Sequence, residues 1–288
     1  MNPTMKTRRD FLRSVALAGA YIFTKPYLAK AFDFEANPVK ETGIQLWGLR
    51  DLIRDKLVPT LKAVSTIGYT GIEAFDFDGS FYGHAPKDFK QICADLDLKI
   101  YSSHTPITDK NANLFAEKAS EAGLEYLFLP SFLGRPANTI DDFKRTAEEL
   151  NRIGQICRQF NIQFGYHNHE FEFKPIGDQL PYDVLLEETD PGLVSFQLDI
   201  YWIVKSGFKP SEYFTNHPGR FHTWHIKDIG HNGETLIVGN GTIDFKSLMK
   251  YSQSSGLKLM IVEQDNFTEG TPLYCSEQSL RYIHSNLF

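Results

Sequence analysis

The stretch Ile162-Gln163-Phe164-Gly165-Tyr166-His167-Asn168-His169-Glu170 is a strand-forming run that ends in a polar cluster. Polar ends of this kind recur at intervals of roughly 30 residues, the length of one strand-plus-helix unit. The other three are Gln197-Leu198-Asp199, Trp224-His225-Ile226-Lys227-Asp228 and Val262-Glu263-Gln264-Asp265. In a closed barrel of parallel strands, the carboxyl ends of all the strands meet at one face. The pattern therefore predicts that these four polar ends surround a single pocket.

Alternating strands and helices extend over the rest of the chain. The predicted strands cover residues 43–47, 69–75, 99–104, 126–130, 162–166, 193–198, 221–226 and 257–262. A helical or turn segment follows each strand, and Gly68 and Gly123 end two of the helices. This alternation predicts a single-domain α/β protein, a (β/α)8 TIM barrel over residues 32–288. A doubly wound open sheet is the alternative, but no glycine-rich phosphate-binding turn follows the first strand.

The composition is that of an ordinary globular protein. The 288 residues are 42% hydrophobic and 23% charged, which is enough to bury a full core. The net charge is −6, and no basic stripe occurs after residue 13. Nucleic acid is therefore disfavoured as a partner, because phosphate binding needs clustered Lys and Arg. The cysteines Cys93, Cys157 and Cys275 are far apart and odd in number, so they predict no disulfide framework.

The first 31 residues predict an export signal. Thr7-Arg8-Arg9-Asp10-Phe11-Leu12-Arg13 resembles a twin-arginine motif, and the weakly apolar residues 14–23 follow it. That stretch is shorter than the ~20 residues that cross a bilayer. The small residues Ala29 and Ala31 suit a signal peptidase, so we expect cleavage after Ala31, a periplasmic mature protein and no stable membrane anchor. A basic amphipathic tail without a targeting function is the alternative.

The polar strand ends offer the ligands of one divalent metal ion. The four candidate ligands are His167, Asp199, His225 and Glu263. Two carboxylates combined with imidazoles are a common ligand set for such ions. His167 and His169 are two residues apart, so on one strand they face the same side, and one can bind metal while the other contacts substrate. Glu170 faces the opposite side unless the chain bends after His169.

On these residues the chain resembles the xylose isomerase-like barrel superfamily, in its sugar phosphate isomerase/epimerase branch. The resemblance covers residues 43–286. It rests on Gly43-Ile44-Gln45-Leu46-Trp47, Gly71-Ile72-Glu73, the stretch from His167 to Phe173, Leu198-Asp199, His225-Ile226-Lys227-Asp228 and Val262-Glu263. It implies an enzyme whose metal ligands are Glu, Asp, His and Glu on strands five to eight.

The chain departs from that ligand set at strand five. His167 stands where many relatives have Glu, within a His-Asn-His run like that of the inosose dehydratase-like branch. In the epimerases that Glu is also one of two acid/base groups, so two-base epimerisation requires Glu170 or His169 to replace it. An imidazole at this position favours Mn, Co, Zn or Fe over Mg.

The resemblance also implies roles for further residues. Glu263 and His169 are our candidates for the base that removes the proton beside a ketone, with Glu170 as a further acid/base candidate. Lys227 is expected on the other side of its strand from His225, bending toward the substrate as an oxyanion donor. Asp228 is expected to hold His225 or Lys227 in place. The expected substrate-binding residues are Trp47, Glu73, His104, Gln197 and Trp202.

These features favour a metal-dependent isomerase or epimerase that acts on a keto-sugar through an enediolate. A close variant is a lyase or dehydratase that expels water or an aglycone from a keto-sugar or a 3-keto-glycoside. A non-catalytic sugar-binding barrel and a DNA-repair nuclease like endonuclease IV are alternatives from other classes, and the acidic charge disfavours the nuclease. The sequence leaves self-association open, and it assigns no role to His84, His231 or Cys275.

Overall fold

Eight parallel strands close into one barrel in a computed structural model that describes residues 41–288. The barrel strands are β1 (Thr42–Gln45), β2 (Gly71–Ala74), β3 (Lys99–His104), β4 (Tyr126–Leu129), β5 (Gln163–His167), β6 (Val194–Asp199), β7 (Thr223–Ile226) and β10 (Leu259–Val262). Each strand pairs with its neighbours along the chain, and β10 closes the ring against β1. The predicted single (β/α)8 barrel is therefore confirmed. The predicted export signal, residues 1–31, lies outside the described residues.

Ten α-helices accompany the strands in residues 41–288. They are α1 (Arg50–Ile67), α2 (Pro86–Ala94), α3 (Ala112–Ala122), α4 (Ile140–Gln159), α5 (Pro181–Glu188), α6 (Ile200–Lys205), α7 (Pro210–Asn216), α8 (Phe245–Leu248), α9 (Ser252–Ser255) and α10 (Pro272–Asn286). Short 3-10 turns cover Leu46–Leu49, Phe171–Phe173 and Met249–Tyr251. None of the helices in this described part is long and apolar enough to cross a membrane.

Helix α4 shows how local sequence sets an element. Thr139 accepts a hydrogen bond from the backbone N–H of Asp142, and the Asp142 carboxylate accepts one from the backbone N–H of Thr139, so the helix begins with a capping box. Phe143, Leu150 and Ile153 lie on the face that is buried against the barrel. Burying side chains of this size stabilises a fold by about 1.5–3 kcal/mol each.

The apolar residues form two separate clusters. A large cluster fills the layer between the strands and the surrounding helices, and a small one contains only Tyr101, Leu259 and Ile261. Because side chains alternate along a strand, Leu259, Ile261 and Glu263 point to the same side of β10 and its extension. Apolar residues therefore fill the amino-terminal part of the barrel interior, and polar residues occupy its carboxyl end.

The segment after β7 forms additional regular structure. Asp228–Ile229 and Thr235–Leu236, strands β8 and β9, form a small antiparallel ribbon. The Asp228 carboxylate accepts hydrogen bonds from the backbone N–H groups of Ile229, Gly239, Gly241 and Ile243. A Cβ at Gly241 would lie 2.3 Å from Asp228 Oδ1, so glycine is required there. Asp228 therefore organises this loop, and our expectation that it holds His225 or Lys227 was wrong.

Candidate active site

A cavity of about 270 Å³ opens at the carboxyl ends of the barrel strands. Its lining residues are Trp47, Phe75, Asp76, His104, Pro106, Pro130, Ser131, Leu133, His167, His169, Lys227, Glu263 and Asp265. The polar groups lie at its floor, whereas Trp47 and Leu133, 38% and 50% exposed, lie at its mouth. This combination of an apolar mouth and a charged floor suits a small molecule with both C–H faces and hydroxyl groups.

Four strand-end residues meet at the cavity floor. Potential ligand atoms of His167, Asp199, His225 and Glu263 all lie within 4.8 Å of one another, and all four residues are buried. Strand register produces part of this arrangement, because Asp199 of β6 is paired with His225 of β7. Glu263 follows β10 directly and reaches the same point. The four predicted metal ligands are therefore brought together, although their role as ligands stays a prediction.

The hydrogen bonding of this cluster fits a cation. Asp199 Oδ2 and His167 Nδ1 are buried and have no hydrogen-bond partner, and buried polar atoms rarely stay unpaired. Burial lowers the pKa of His167 well below its ordinary value, and the neighbouring imidazoles lower it further, so its ring nitrogen is available without loss of a proton. Two carboxylates and two imidazoles suit Zn, Mn, Fe or Co better than Mg.

Glu73 of β2 lies beneath this cluster and is completely buried. Its Oε1 lies 2.7 Å from His225 Nε2, and its Oε2 accepts hydrogen bonds from Ser102 Oγ at 2.6 Å and Gln197 Nε2 at 2.8 Å. Gln45 Nε2 donates to Oε1 at 2.9 Å. Burial raises the pKa of Glu73, but the charges and hydrogen bonds of the neighbouring imidazoles outweigh it and hold the pKa well below its ordinary value. Both oxygens are occupied, so Glu73 orients His225, as carboxylates behind metal-binding histidines do.

Two other predicted substrate contacts also belong largely to this buried network. Gln197 is completely buried, and its Oε1 lies 2.7 Å from His104 Nε2. His104 lines the cavity but also lies 3.1 Å from Glu73 Oε1. The structure therefore places Glu73 and Gln197 under the floor, where neither reaches a substrate hydroxyl. His104 is the member of this trio that faces the cavity.

Lys227 is a buried cation surrounded by acids. Its Nζ lies 2.5 Å from Asp265 Oδ2, 3.1 Å from Glu263 Oε2 and 3.6 Å from Asp199 Oδ2. Burial lowers the pKa of Lys227, but the three carboxylates outweigh it and raise the pKa above its ordinary value, so the ammonium stays charged. Lys227 follows His225 by two residues and points to the same side of the chain, which corrects the expectation that it lies on the opposite side.

The chain turns immediately after β5, and this turn separates His169 from Glu170. His169 lines the cavity and its Nδ1 is unpaired, whereas Glu170 pairs with Lys174 at 3.1 Å and does not line the cavity. The buried Glu172 makes the turn, because its carboxylate accepts hydrogen bonds from the His169 N–H at 2.9 Å and from Tyr166 Oη at 2.5 Å. Glu170 is therefore not brought to the site, and Glu172, which the sequence reasoning overlooked, supports His169 from below.

Burial and electrostatics keep His169 neutral. Burial, and to a lesser extent the nearby Lys227 ammonium, lower the pKa of His169 to about 4. Burial also lowers the pKa of His225, but the charges of Glu73 and Glu263 outweigh this and raise it to about 10. Burial raises the pKa of Glu263, and Lys227 and His225 outweigh that effect and lower it well below its ordinary value. Glu263 is therefore an ion-paired carboxylate, whereas His169 is a neutral imidazole without an ion-pair partner among residues 41–288.

The two predicted aromatic contacts have different positions. Trp47 lies at the cavity mouth and packs edge-on against Phe75, with ring centroids 5.4 Å apart. Trp202 does not line the cavity. Its ring centroid lies 5.6 Å from that of His169 and 5.1 Å from Lys227 Nζ, so it packs behind both groups. Trp202 therefore positions His169 and Lys227 instead of meeting the substrate.

Sequence reasoning missed two acids that line the cavity. Asp265 sits two residues after Glu263, on the same side of the chain, and that spacing alone could have identified it. Burial and the Glu263 charge raise the pKa of Asp265, against the opposing effect of Lys227. Asp76 follows β2 and has a positive φ of 54°. No spacing rule predicts its position, because it lies in an irregular loop.

Known proteins resemble this chain to different degrees in sequence and in fold. The inosose dehydratase of Lacticaseibacillus casei is 27% identical in an alignment of 177 residues, and the match covers 54% of this chain and 58% of that protein. The match thus spans under two thirds of the relative. A solved sugar phosphate isomerase/epimerase from Parabacteroides distasonis is 28% identical with a TM-score of 0.79, covering 87% of this chain and 96% of that one.

A solved structure of the IolI protein with a zinc atom shares the fold, with 13% identity and a TM-score of 0.66. It covers 86% of this chain and 98% of that one. A family profile described as xylose isomerase-like TIM barrel matches residues 61–283, which is well over half of the chain. The protein therefore belongs to the xylose isomerase-like TIM barrel family.

Proposed function

We propose that this protein is a divalent-metal-dependent enzyme that removes the proton beside the ketone of a keto-sugar or cyclic keto-polyol and then expels a β-hydroxyl group as water. The observation that carries this proposal is His169, a neutral imidazole that lines the cavity and has no ion-pair partner among residues 41–288. A single base of this kind is sufficient for elimination, whereas epimerisation through an enediolate needs acid/base groups on both faces of the substrate.

Each residue of the site has a task in this reaction. An imidazole nitrogen of His169 takes the proton as the C–H bond breaks, and the electron pair moves into the enediolate. The C–O bond to the β-hydroxyl then breaks, and His169 returns its proton to the leaving oxygen, so that water is released. Because the pKa of His169 is about 4, its protonated form gives up the proton readily.

The charged groups support the same step. Lys227 lies in the cavity lining with a fixed positive charge, and it stabilises negative charge that develops on the substrate oxygens. His167, Asp199, His225 and Glu263 would hold the divalent ion. When bound, that ion supplies Lewis-acid polarisation of the ketone. Glu73 keeps the His225 ring in the orientation in which Nδ1 faces the cluster.

The second candidate is epimerisation or isomerisation of a keto-sugar. One observation favours it: Asp265 lines the same cavity and its pKa is raised, so it offers a second acid/base group. The Parabacteroides distasonis relative named a sugar phosphate isomerase/epimerase also supports it. In this reading His169 and Asp265 exchange protons with the two faces of the enediolate.

Product analysis in D2O tests the two candidates. The metal-loaded protein is incubated with an inosose, free ketoses and a 3-keto-glycoside, and the products are followed by NMR and ultraviolet absorption. An unsaturated ketone with loss of water or aglycone supports elimination, and a C-epimer or aldose–ketose isomer with deuterium incorporation supports the second candidate. Stoichiometric metal without turnover of any ketone contradicts both and favours a non-catalytic sugar-binding barrel. His169→Asn is the matched inactive control.

We also propose that the protein is exported by the twin-arginine route. The support is Arg8-Arg9 followed by a short apolar stretch and by small residues at Ala29 and Ala31. Mass spectrometry of the protein purified from its native cells tests this proposal, since cleavage predicts an amino terminus at Phe32 in the periplasmic fraction. A cytosolic protein that retains residues 1–31 would contradict it.

A further inference from the structure

Asp76 is a free carboxylate at the rim of the cavity. It lines the cavity and is solvent-exposed, and its side chain has no hydrogen bond or ion pair to any residue of 41–288. Its φ of 54° is in the left-handed region, which costs energy for residues other than glycine, although Asp tolerates it better than most. An unpaired acid held in a strained conformation beside an active-site cavity contributes nothing evident to the stability of the loop.

The other charges around the cavity are balanced by partners. Asp199 and Glu263 carry the two negative charges that a divalent ion would neutralise. Lys227 and Asp265 pair with each other at 2.5 Å. Among the residues of 41–288 that line the cavity, Lys227 is the one cationic side chain. Asp76 is therefore the uncompensated charge at the mouth, and an entering ligand meets a negative potential.

Arg50, the arginine beside Trp47, does not pair with the Asp76 carboxylate. Arg50 donates a hydrogen bond from Nη1 to the Trp47 carbonyl at 2.9 Å, and its Cζ lies 4.9 Å from the Trp47 ring centroid. It does not line the cavity. Recognition of a phosphate group normally requires Arg, Lys or a set of backbone N–H groups that converge on it. The rim offers an acid and apolar side chains instead.

We propose that Asp76 is a specificity-determining residue that accepts hydrogen bonds from substrate hydroxyl groups and repels phosphate, so that the site takes an unphosphorylated sugar or keto-polyol. The charge class of the substrate is thereby added to the proposed function. The role of Asp76 in binding depends on the proposed function only for the reaction that follows binding. Trp47 and Leu133 complete the rim by packing on C–H faces, which a neutral ring presents.

A binding experiment tests this inference without turnover. Isothermal titration calorimetry measures the affinity of the metal-loaded protein for sorbitol and for sorbitol 6-phosphate. We expect the wild type to prefer sorbitol. Asp76→Asn keeps a hydrogen-bond acceptor and removes the charge. The ratio of the affinity for sorbitol to the affinity for sorbitol 6-phosphate should therefore fall about fivefold. Asp76→Ala removes the acceptor as well, and sorbitol affinity should fall about fivefold. Asp78→Asn, two residues further along the same loop, is the matched charge control and should change neither affinity.

Several outcomes overturn the inference. The wild type could bind the phosphate ester as tightly as sorbitol or more tightly, or it could bind neither probe at millimolar concentration. Asp76→Asn could leave the ratio of the two affinities unchanged. Asp78→Asn could have an effect as large as that of Asp76→Asn. Failure of the proposed reaction is a separate result, because a protein that binds sorbitol selectively but converts no ketone contradicts the elimination and leaves the role of Asp76 intact.

Discussion

Glu73 Oε1 lies 2.7 Å from His225 Nε2, on the opposite side of the imidazole from the nitrogen that faces Glu263 at 3.2 Å. This carboxylate holds the Nε2 side of the His225 ring, and it reaches the ring from β2. Such partners raise the basicity of a ligating imidazole and hold its ring plane. The pair gives the first test of the candidate metal site.

Replacing Glu73 by Gln should weaken metal binding by about 10–100-fold, because the His225 ring loses its charged acceptor. Competition with a chromophoric chelator measures the Zn affinity of each variant. Glu172→Gln is the matched control, since it removes another buried carboxylate of the barrel but leaves His225 untouched. Equal affinities of wild type and Glu73→Gln would contradict the orienting role.

Removing the ion should lower the melting temperature. If the ion is present at a hundred times its dissociation constant, it contributes about 2.7 kcal/mol, which corresponds to roughly 5–10 °C for a domain of this size. Differential scanning fluorimetry with and without EDTA checks this, together with elemental analysis of the purified protein. Asp199→Asn should abolish the shift, and His84→Asn, outside the cluster, should preserve it. A melting temperature that is insensitive to EDTA, with no metal in the sample, would rule out the site.

In the metal-free protein, Lys227→Met should destabilise the fold by about 3–5 kcal/mol, because it leaves the buried Asp199 and Glu263 and the partly exposed Asp265 without their cation. The double variant Lys227→Met with Asp265→Asn should recover part of this loss, since one of the uncompensated charges is removed. Urea unfolding measures both free energies. Lys205→Met is the control, because Lys205 also lies near Trp202 but is exposed. A loss of unfolding free energy below 1 kcal/mol, or no recovery in the double variant, would show that the Lys227 ammonium does not neutralise these carboxylates.

The neighbours His169 and Glu170 should differ sharply in their effect on catalysis. His169→Asn should lower kcat by about 10²–10⁴-fold, as expected when a general base is lost. Glu170→Gln should leave kcat within about twofold, because its carboxylate pairs with Lys174 and lies outside the cavity. Steady-state kinetics on the substrate identified by product analysis provides both values. The opposite order of effects would reassign the base to Glu170.

The ion pair of Glu149 with Arg135 should make stability depend on pH. The atoms Arg135 Nε and Glu149 Oε2 lie 2.7 Å apart, and Arg135 Nη2 also donates to the Ile107 carbonyl. Burial raises the pKa of Glu149, but Arg135 outweighs it and lowers the pKa. A carboxyl whose pKa is lowered by folding stabilises the fold above its ordinary pKa and loses that contribution as the pH falls below it.

Glu149→Gln should therefore cost about 1–2 kcal/mol at pH 7 and much less at pH 3. Urea unfolding at both pH values measures the difference, and Glu148→Gln, the exposed neighbour on the same helix, should show no such pH dependence. An equal loss of unfolding free energy at both pH values would mean that the ion pair between Glu149 and Arg135 does not stabilise the fold.

The barrel and the meeting of the four candidate ligands were predictable because both follow from periodicity. When parallel strands separated by helices close into a barrel, their carboxyl ends lie at one face, so the ends of β5 to β7 and β10 converge whatever the details of the loops. Strand alternation also predicts that Lys227 shares a side with His225, and our expectation of the opposite side misapplied that rule. Asp265 could have been found in the same way, from its distance of two residues to Glu263.

The roles of Glu73, Glu170 and Trp202 could not be read from the sequence. Whether an inward-facing acid reaches the cavity or lies beneath it depends on its depth in the barrel. The register of β2 and β3 shifts between Ile72 and Glu73, and this irregularity decides what faces Ser102. The turn after β5 depends on Glu172 accepting the His169 N–H, a local contact over three residues that the sequence reasoning did not consider.

All four candidate ligands belong to β5 to β7 and β10, yet the carboxylate that orients His225 comes from β2, together with Gln45 of β1 and Ser102 of β3. A half-length polypeptide that starts at β5 would contain every donor atom and still lack the acceptor that aims one of them. If such barrels arose by joining two smaller pieces, the piece that carries the candidate ligands has since become dependent on its companion. Replacing the amino-terminal half by that of another barrel should therefore keep all four donor residues but leave His225 without the carboxylate that orients it.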